Sequence, residues 1–255
     1  MSSISELSCA IKAAKSCETI ISTSFRKSMA YEKKSAQEVV TKVDFACENV
    51  IKKILKKSFP DYGFVGEETS PELLENGCFW IVDPIDGTTN FLHGLPCFVV
   101  SICLIKNNEP VIGVIFDPIH GELFSTEKGK GAFLNKTNAF VSKTPDLADC
   151  IIQFNSAYNH RSEAGALIQK FGDKVRDPQM GRSTALQMAD ICCGRSDAFI
   201  KIEAKIFDLL AGILLIKEAG GKITTFEGKE FKLFKDKNIV ASNGKIHEAL
   251  LNELK

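Results

Sequence analysis

No stretch of this chain approaches eighteen consecutive apolar residues, which argues against a transmembrane helix. A secretory signal is also missing, because Glu6, Lys12 and Lys15 interrupt any apolar segment near the N-terminus. The nine cysteines are odd in number and contain no CxxC pair, so a disulfide framework is not expected. Reduced thiols in a cytoplasmic protein account for them better. His93, His120, His160 and His247 fall beside no cysteine pair at ligand spacing, which removes a structural zinc site. An excess of either charge is absent too: Lys plus Arg and Asp plus Glu stand at 32 each. That balance gives no basis for general nucleic-acid or membrane-surface affinity. Internal repeats, low-complexity tracts and long linkers are not found.

What is present is a chain of 255 residues, 44% hydrophobic, which is enough for one large domain or two closely packed lobes. Apolar residues at helical spacing, from Ile4 through Leu7, Ile11, Ala14, Cys17 and Ile21 to Phe25, predict a helix over 4–27. A second helix is expected over 44–58, ended by Pro60. Short apolar runs predict strands at 63–65 and 78–82. A hairpin is expected from 98–105 and 111–116 around a polar turn at 106–110, with further sheet edges at 122–125 and 131–134. The second half alternates more evenly, with strands at 151–154, 198–202, 222–225 and 238–241. Helices are expected at 162–171, 184–193 and 208–219, the last stopped by Gly220-Gly221, and a final helix capped by Ser242 or Asn243. Strands and helices in blocks argue for a layered α+β fold.

The most informative segment runs from Trp80 to Phe91, where an apolar strand releases Asp83 and Asp86 around Pro84. Gly87 lets backbone approach a ligand, and Thr88-Thr89 can cap a short helix whose free N–H groups suit a phosphate. Hard oxygen ligands beside an anion site describe a magnesium-phosphate centre, although capping Asp and Thr in an ordinary strand-turn-helix fit the same residues. Gly66-Glu67-Glu68 ends the preceding strand in a similar way, and reads alternatively as a solvated turn. Two carboxylates about 4 Å apart repel by roughly 4 kcal/mol at an effective dielectric near 20, so drawing these acids together requires cations. Asp208 opens an apolar helix, where an N-cap is the simplest explanation.

Gly66-Glu67-Glu68, the run Asp83-Pro84-Ile85-Asp86-Gly87-Thr88-Thr89-Asn90-Phe91, and Asp208 with Ala211-Gly212 resemble, in this order and spacing, the motifs of the inositol monophosphatase family. Val40-Thr41-Lys42-Val43-Asp44, His93-Gly94-Leu95-Pro96, Phe116-Asp117-Pro118, Gly129-Lys130-Gly131-Ala132-Phe133 and Glu218-Ala219-Gly220-Gly221 agree. The resemblance implies an α-β-α-β-α sandwich of the inositol monophosphatase and fructose bisphosphatase type. It implies one catalytic domain over 1–255, with approximate lobes 1–145 and 146–255. It also implies a lithium-sensitive phosphatase with two to three Mg2+ ions, a homodimer, and a small phosphorylated metabolite as substrate. One ion is then expected on Glu67, Asp83 and the Ile85 carbonyl, and a second on Asp83, Asp86 and Asp208. The backbone of Gly87 and Thr88 is expected to cradle the phosphate. Thr88, polarised by Asp44, and Glu67 are expected to orient a metal-activated water for attack on phosphorus. No DxDx-type aspartyl nucleophile or Cys-x5-Arg loop is found, so no covalent phosphoenzyme is implied.

Substrate identity is where this chain departs from the family pattern. The position that carries a sugar-binding Glu in the family is Lys201, with Glu203 two residues on. Glu203 grips a polyol hydroxyl if the turn is shorter, whereas Lys201 and Lys205 favour a second anionic group or are solvated strand-end residues. Arg182 stands where small residues are usual, as a surface residue, a dimer contact or an anion ligand. An inositol monophosphate is the leading substrate. A 3'(2'),5'-bisphosphate nucleotide, fructose 1,6-bisphosphate and histidinol phosphate are the alternatives, and a non-catalytic regulator bound to RNA or polymerase is the alternative of a different class. His93 is expected to pack or cap, His120 and His247 to lie in turns or surface helices, and Gly129-Lys130-Gly131 to form a turn.

Overall fold

Strands that are apolar at every position need cover on both faces. That requirement organises the computed structural model, which describes residues 4–35, 38–69, 77–181 and 183–255. The expected first helix is two, α1 (Glu6–Lys15) and α2 (Glu18–Ser24). The break falls at Ser16, whose hydroxyl donates back to the Ala13 carbonyl and competes with the helical ladder. Two paired antiparallel strands follow, β1 (Tyr31–Lys33) and β2 (Val39–Thr41), too short to show a period in the sequence. Next, α3 (Lys42–Ser58) starts ahead of the expected 44 because Thr41 and Asp44 form a capping box. The Thr41 hydroxyl accepts from Val43 N at 3.1 Å, and Asp44 Oδ2 accepts from Thr41 N at 2.8 Å.

The larger sheet has the order β3 (Gly63–Gly66), β4 (Cys78–Asp86), β5 (Val99–Lys106), β6 (Glu109–Asp117), β7 (Glu122–Glu127), β8 (Ala132–Leu134) and β9 (Thr137–Ala139). Only the β3–β4 pair is parallel. Strand alternation divides its side chains. Trp80, Val82, Val100 and Ile102 pack with α1 and α3, while Phe79, Ile81, Val99 and Cys103 face a second helical layer. The β5–β6 turn is tighter than expected, because Asn107 and Asn108 take positive φ (51° and 62°) and close a two-residue loop. A five-residue helix, α4 (Thr88–Leu92), leaves β4, and His93 stands at its C-terminal cap.

The second sheet is assembled from β10 (Ile151–Ser156), β11 (Asp177–Met180), β12 (Ala198–Ile202), β13 (Lys222–Thr224) and β14 (Ile239–Ser242), in the order β11-β10-β12-β14-β13. Its outer face carries α5 (Arg161–Phe171) and α8 (His247–Leu254), while α6 (Thr184–Cys192) and α7 (Ile206–Glu218) lie between the sheets. The layers are therefore α-β-α-β-α, as expected. The middle position explains why every residue of α7 from Asp208 to Ile216 is buried. Close approach there depends on two glycines. A Cβ on Gly113 of β6 would stand 2.9 Å from the Ala211 carbonyl, and one on Gly212 would stand 2.6 Å from Met188 Cβ. Gly129-Lys130-Gly131 is a turn, its two glycine N–H groups donating to the Glu218 carboxylate.

Two expectations at the C-terminal end change. Asn243 does not cap α8; its Oδ1 accepts from Lys245 N (2.9 Å) and Ile246 N (3.3 Å), shaping the turn before it. His247 is not at the surface but fully buried, its ring nitrogens each 2.8 Å from a hydroxyl, of Thr224 and of Ser242. Burial, aided by the Lys222 charge, lowers its pKa to about 4. The unfolded chain takes up this proton near the ordinary value of 6.5, while the native state resists it down to about 4. Stability from this group is thus present above about 6.5 and is lost as pH falls towards 4. In melts at descending pH, His247→Gln is expected to lose less stability between neutral and mildly acid pH than the parent protein.

Candidate metal centre

The acidic residues arrive from several elements, and each is held by its own local device. Glu67 follows β3 in a turn built on Glu48 of α3, a fully buried carboxylate. Glu48 accepts from Glu68 N at 2.8 Å and Thr69 N at 3.0 Å, and also from the Thr69 hydroxyl. A Cβ on Gly66 would fall 2.4 Å from the Glu48 carboxyl carbon, so the glycine and the acid are interlocked. Asp83 and Asp86 lie on either side of an irregularity in the β4–β5 register, and Asp83 Oδ1 accepts from Ile85 N at 2.9 Å. Gly87 takes φ 103°, and its missing Cβ would stand 2.8 Å from the Cys97 carbonyl. The Thr88 hydroxyl lies 3.1 Å from Asp44 Oδ1 and 3.0 Å from the Ile85 carbonyl. Asp208 is not the N-cap of α7; Lys205 holds that position, and Asp208 projects from the first turn.

These elements bring one oxygen each of Glu67, Asp83 and Asp208 within 4.8 Å of one another, a group able to hold a metal ion. Asp86 lies to one side against the N-terminus of α6, its Oδ2 accepting from the Ser183 hydroxyl (2.8 Å) and Ala185 N (2.6 Å). Burial and the neighbouring charges of Glu67, Asp86 and Asp208 push Asp83 far above the usual carboxylate range. Burial and then Asp208 raise Asp86 to about 7. Burial acts against the Glu67 carboxylate as well, but Lys34 and Lys205 outweigh it and hold this group low. Buried like charges at this density favour the uptake of a cation.

A cavity of about 540 Å³ opens onto the cluster, lined by Glu67, Asp83, Ile85, Asp86, Gly87, Thr88, Lys201, Glu203, Lys205 and Asp208. Asp44 stands behind Thr88, fully buried. The expectation of solvated lysines fails at Lys201, which is buried with Nζ 3.3 Å from Asp208 Oδ2 and bonded to the Thr184 hydroxyl. Lys205 is half exposed and ion-paired to Glu38 (2.8 Å) and Glu67 (3.4 Å). Glu203 has φ 52° and pairs with Lys237 at 3.0 Å on the cavity rim. Arg182 lies outside the described residues.

Sequence reasoning missed Glu48, Lys34 and the start of α6. Glu48 lies four residues after Asp44 on the buried face of α3, between Cys47 and Ile51, and that spacing was a readable signal. Lys34 bridges Glu67 (3.4 Å) and Glu68 from an exposed hairpin, with no local pattern to mark it.

The fold is that of a family of phosphatases. The sequence model of the inositol monophosphatase family matches residues 4–255, and the chain belongs to that family of phosphoric monoester hydrolases. Among its relatives, inositol monophosphatase 2 of Solanum lycopersicum is 39% identical, over 96% of this chain and 96% of its own. The Nus factor SuhB of Xylella fastidiosa is 35% identical over 94% of this chain and 90% of its own length. The crystal structure of the suppressor protein SuhB from Bartonella henselae superposes with a TM-score of 0.92, at 34% identity and 97% coverage of both chains.

The Glu48 contacts generate a test. Glu48→Gln sets a side-chain NH2 against backbone donors, and is expected to cost about 1–3 kcal/mol in denaturant melts. Gly66→Ala is expected to destabilise the same turn, because its methyl meets the pinned carboxylate.

Proposed function

We propose that the chain is a magnesium-dependent phosphatase acting on inositol monophosphate, a homodimer in the cytoplasm. The observation that carries the reading is the convergence of the Glu67, Asp83 and Asp208 oxygens within 4.8 Å beside a cavity. The donor set fits the ion: hard, anionic oxygens without nitrogen or sulfur suit magnesium. Glu67, Asp83 and the Ile85 carbonyl would hold one ion. Asp83, Asp86 and Asp208 would hold a second, and Glu67 would assist a third. When bound, these ions supply Lewis acidity towards the phosphate and lower the pKa of water.

The chain's own residues do the rest. The backbone at Gly87 and Thr88 positions the phosphate, at a glycine where no Cβ can be accommodated. The Thr88 hydroxyl, by donating to Asp44, turns its lone pairs towards the cavity, where it orients the attacking water. Glu67, kept ionised by Lys34 and Lys205, would orient that water and accept its proton, its low basicity leaving the acidification of the water to the bound ions. Glu203, on the rim and paired with exposed Lys237, can exchange that partner for a polyol hydroxyl.

A second reading has a specific observation behind it, the likeness to the Nus factor SuhB of Xylella fastidiosa, and would make the chain a regulator. The two separate in an assay of inositol monophosphate, fructose 1,6-bisphosphate, a 3',5'-bisphosphate nucleotide and histidinol phosphate with magnesium. Phosphate release that stops on chelation and returns with magnesium is expected, with lithium inhibiting where sodium does not. No release from any ester favours the regulator.

Asp83→Asn is expected to lower turnover at least about a hundredfold with little change in folding, because it removes the charge shared by two ions. Glu203→Gln is expected to raise KM for inositol monophosphate by about one to two orders of magnitude, while p-nitrophenyl phosphate is hardly affected. Equal effects on both esters would remove Glu203 from the substrate site.

A further inference from the structure

Lys201 is built into the metal centre in a way the other lysines of the cavity are not. Its side chain is 7% exposed, against 25% for Lys34 and 46% for Lys205. It projects from β12, a strand buried at every position, into the wall of the cavity. Nζ donates to the Thr184 hydroxyl and lies 3.3 Å from Asp208 Oδ2. Thr184 opens α6, whose start also holds Asp86 through Ser183 and Ala185 N. The ammonium thus pairs with Asp208 and touches the helix start that holds Asp86, and its charge favours the ionised form of both acids.

What distinguishes it further is the lack of an alternative partner. If an ion takes Glu67, Lys34 keeps Glu68 and Lys205 keeps Glu38. Among the described residues Lys201 pairs with no carboxylate but Asp208. An ion entering between Asp86 and Asp208 must share Asp208 with the ammonium or leave it with a hydroxyl alone. A buried charge deprived of its counterion is costly, so that entry is opposed.

We propose that the Lys201 ammonium is a resident cation of the Asp86–Asp208 half of the centre, balancing those carboxylates without metal and competing with the ion they would bind. This rests on the metal-centre reading given above. The enzyme then has one tight ion, on the Glu67–Asp83 side, and one weak ion whose affinity is set by Lys201. Lys201 is a positioning residue for the second ion rather than a reader of a second phosphate.

Manganese binding to substrate-free protein, followed by the electron paramagnetic resonance of free Mn2+, tests this without reference to turnover. The parent protein is expected to show one tight and one weak site. Lys201→Met, which keeps length and removes charge, is expected to tighten the weak site at least about tenfold, with the tight site little changed. Metal-free melts provide a second readout. Lys201→Met is expected to melt lower than the parent in chelator, and to gain more from added Mn2+. If this variant does not fold without metal, the same comparison is made with Lys201→Gln. Parent and variant isotherms that coincide, or equal melting in chelator, overturn the proposal while leaving the metal centre standing. No Mn2+ binding by either protein overturns the metal centre and this proposal together.

Discussion

Repulsion between carboxylates is the constraint on which the rest of this structure depends. Asp83, Asp86 and Asp208 are all buried, and one oxygen each of Glu67, Asp83 and Asp208 lies within 4.8 Å of the others. Such a group opposes its own assembly, and only a framework that over-determines each acid can hold it. The layered core provides that framework. β4 is covered on both faces, α7 is buried along most of its length, and the site lies where their ends meet.

Glu67, Asp83 and Asp86 are each held by a device of their own. Glu48 shapes the turn of Glu67, the β4 irregularity separates Asp83 from Asp86, and the first turn of α6 engages one oxygen of Asp86. This last contact ties β4 of the larger sheet to α6 of the helical layer between the sheets. With Oδ2 occupied by Ser183 and Ala185, Asp86 keeps its second oxygen for the cavity. An aspartate held this way can be a ligand without being free to swing, which favours a defined coordination geometry.

Much of the fold and of the acidic set was legible because the determinants are local. Apolar runs at 78–82 and, broken by Ser101 alone, at 98–105 announced strands, and the acids at 67, 83, 86 and 208 lie at element ends where a side chain must serve a turn or a ligand. The remaining features depend on distant contacts or on elements too short to carry a period. The strands β1, β2, β9 and β11 span three or four residues each. The tie between Asp86 and Ser183 crosses 97 positions, and nothing near either residue indicates it. His247 looked like a surface residue because its two hydroxyl partners lie on β13 and at the end of β14, and only tertiary packing brings them to α8.

Lys201 shows why the chemistry of a site resists reading from its strand. In a half-exposed strand, alternation assigns each side chain a face, and a lysine is placed in water by default. β12 is buried from Ala198 to Ile202, so parity does not distinguish a solvated lysine from one aimed at a carboxylate. The deciding fact is the neighbour across the layer. Asp208 lies one loop further on, and the first residue of α6 offers a hydroxyl within reach. A positive charge inside a cluster selected for cation binding lowers repulsion before any ion arrives, and it also changes what the cluster binds next. The same residue type half-exposed at position 205 also pairs with Glu67, but it keeps Glu38 as a second partner when an ion claims that acid. Burial and the absence of an alternative counterion, rather than charge itself, separate a lysine that defines the centre from one that only borders it.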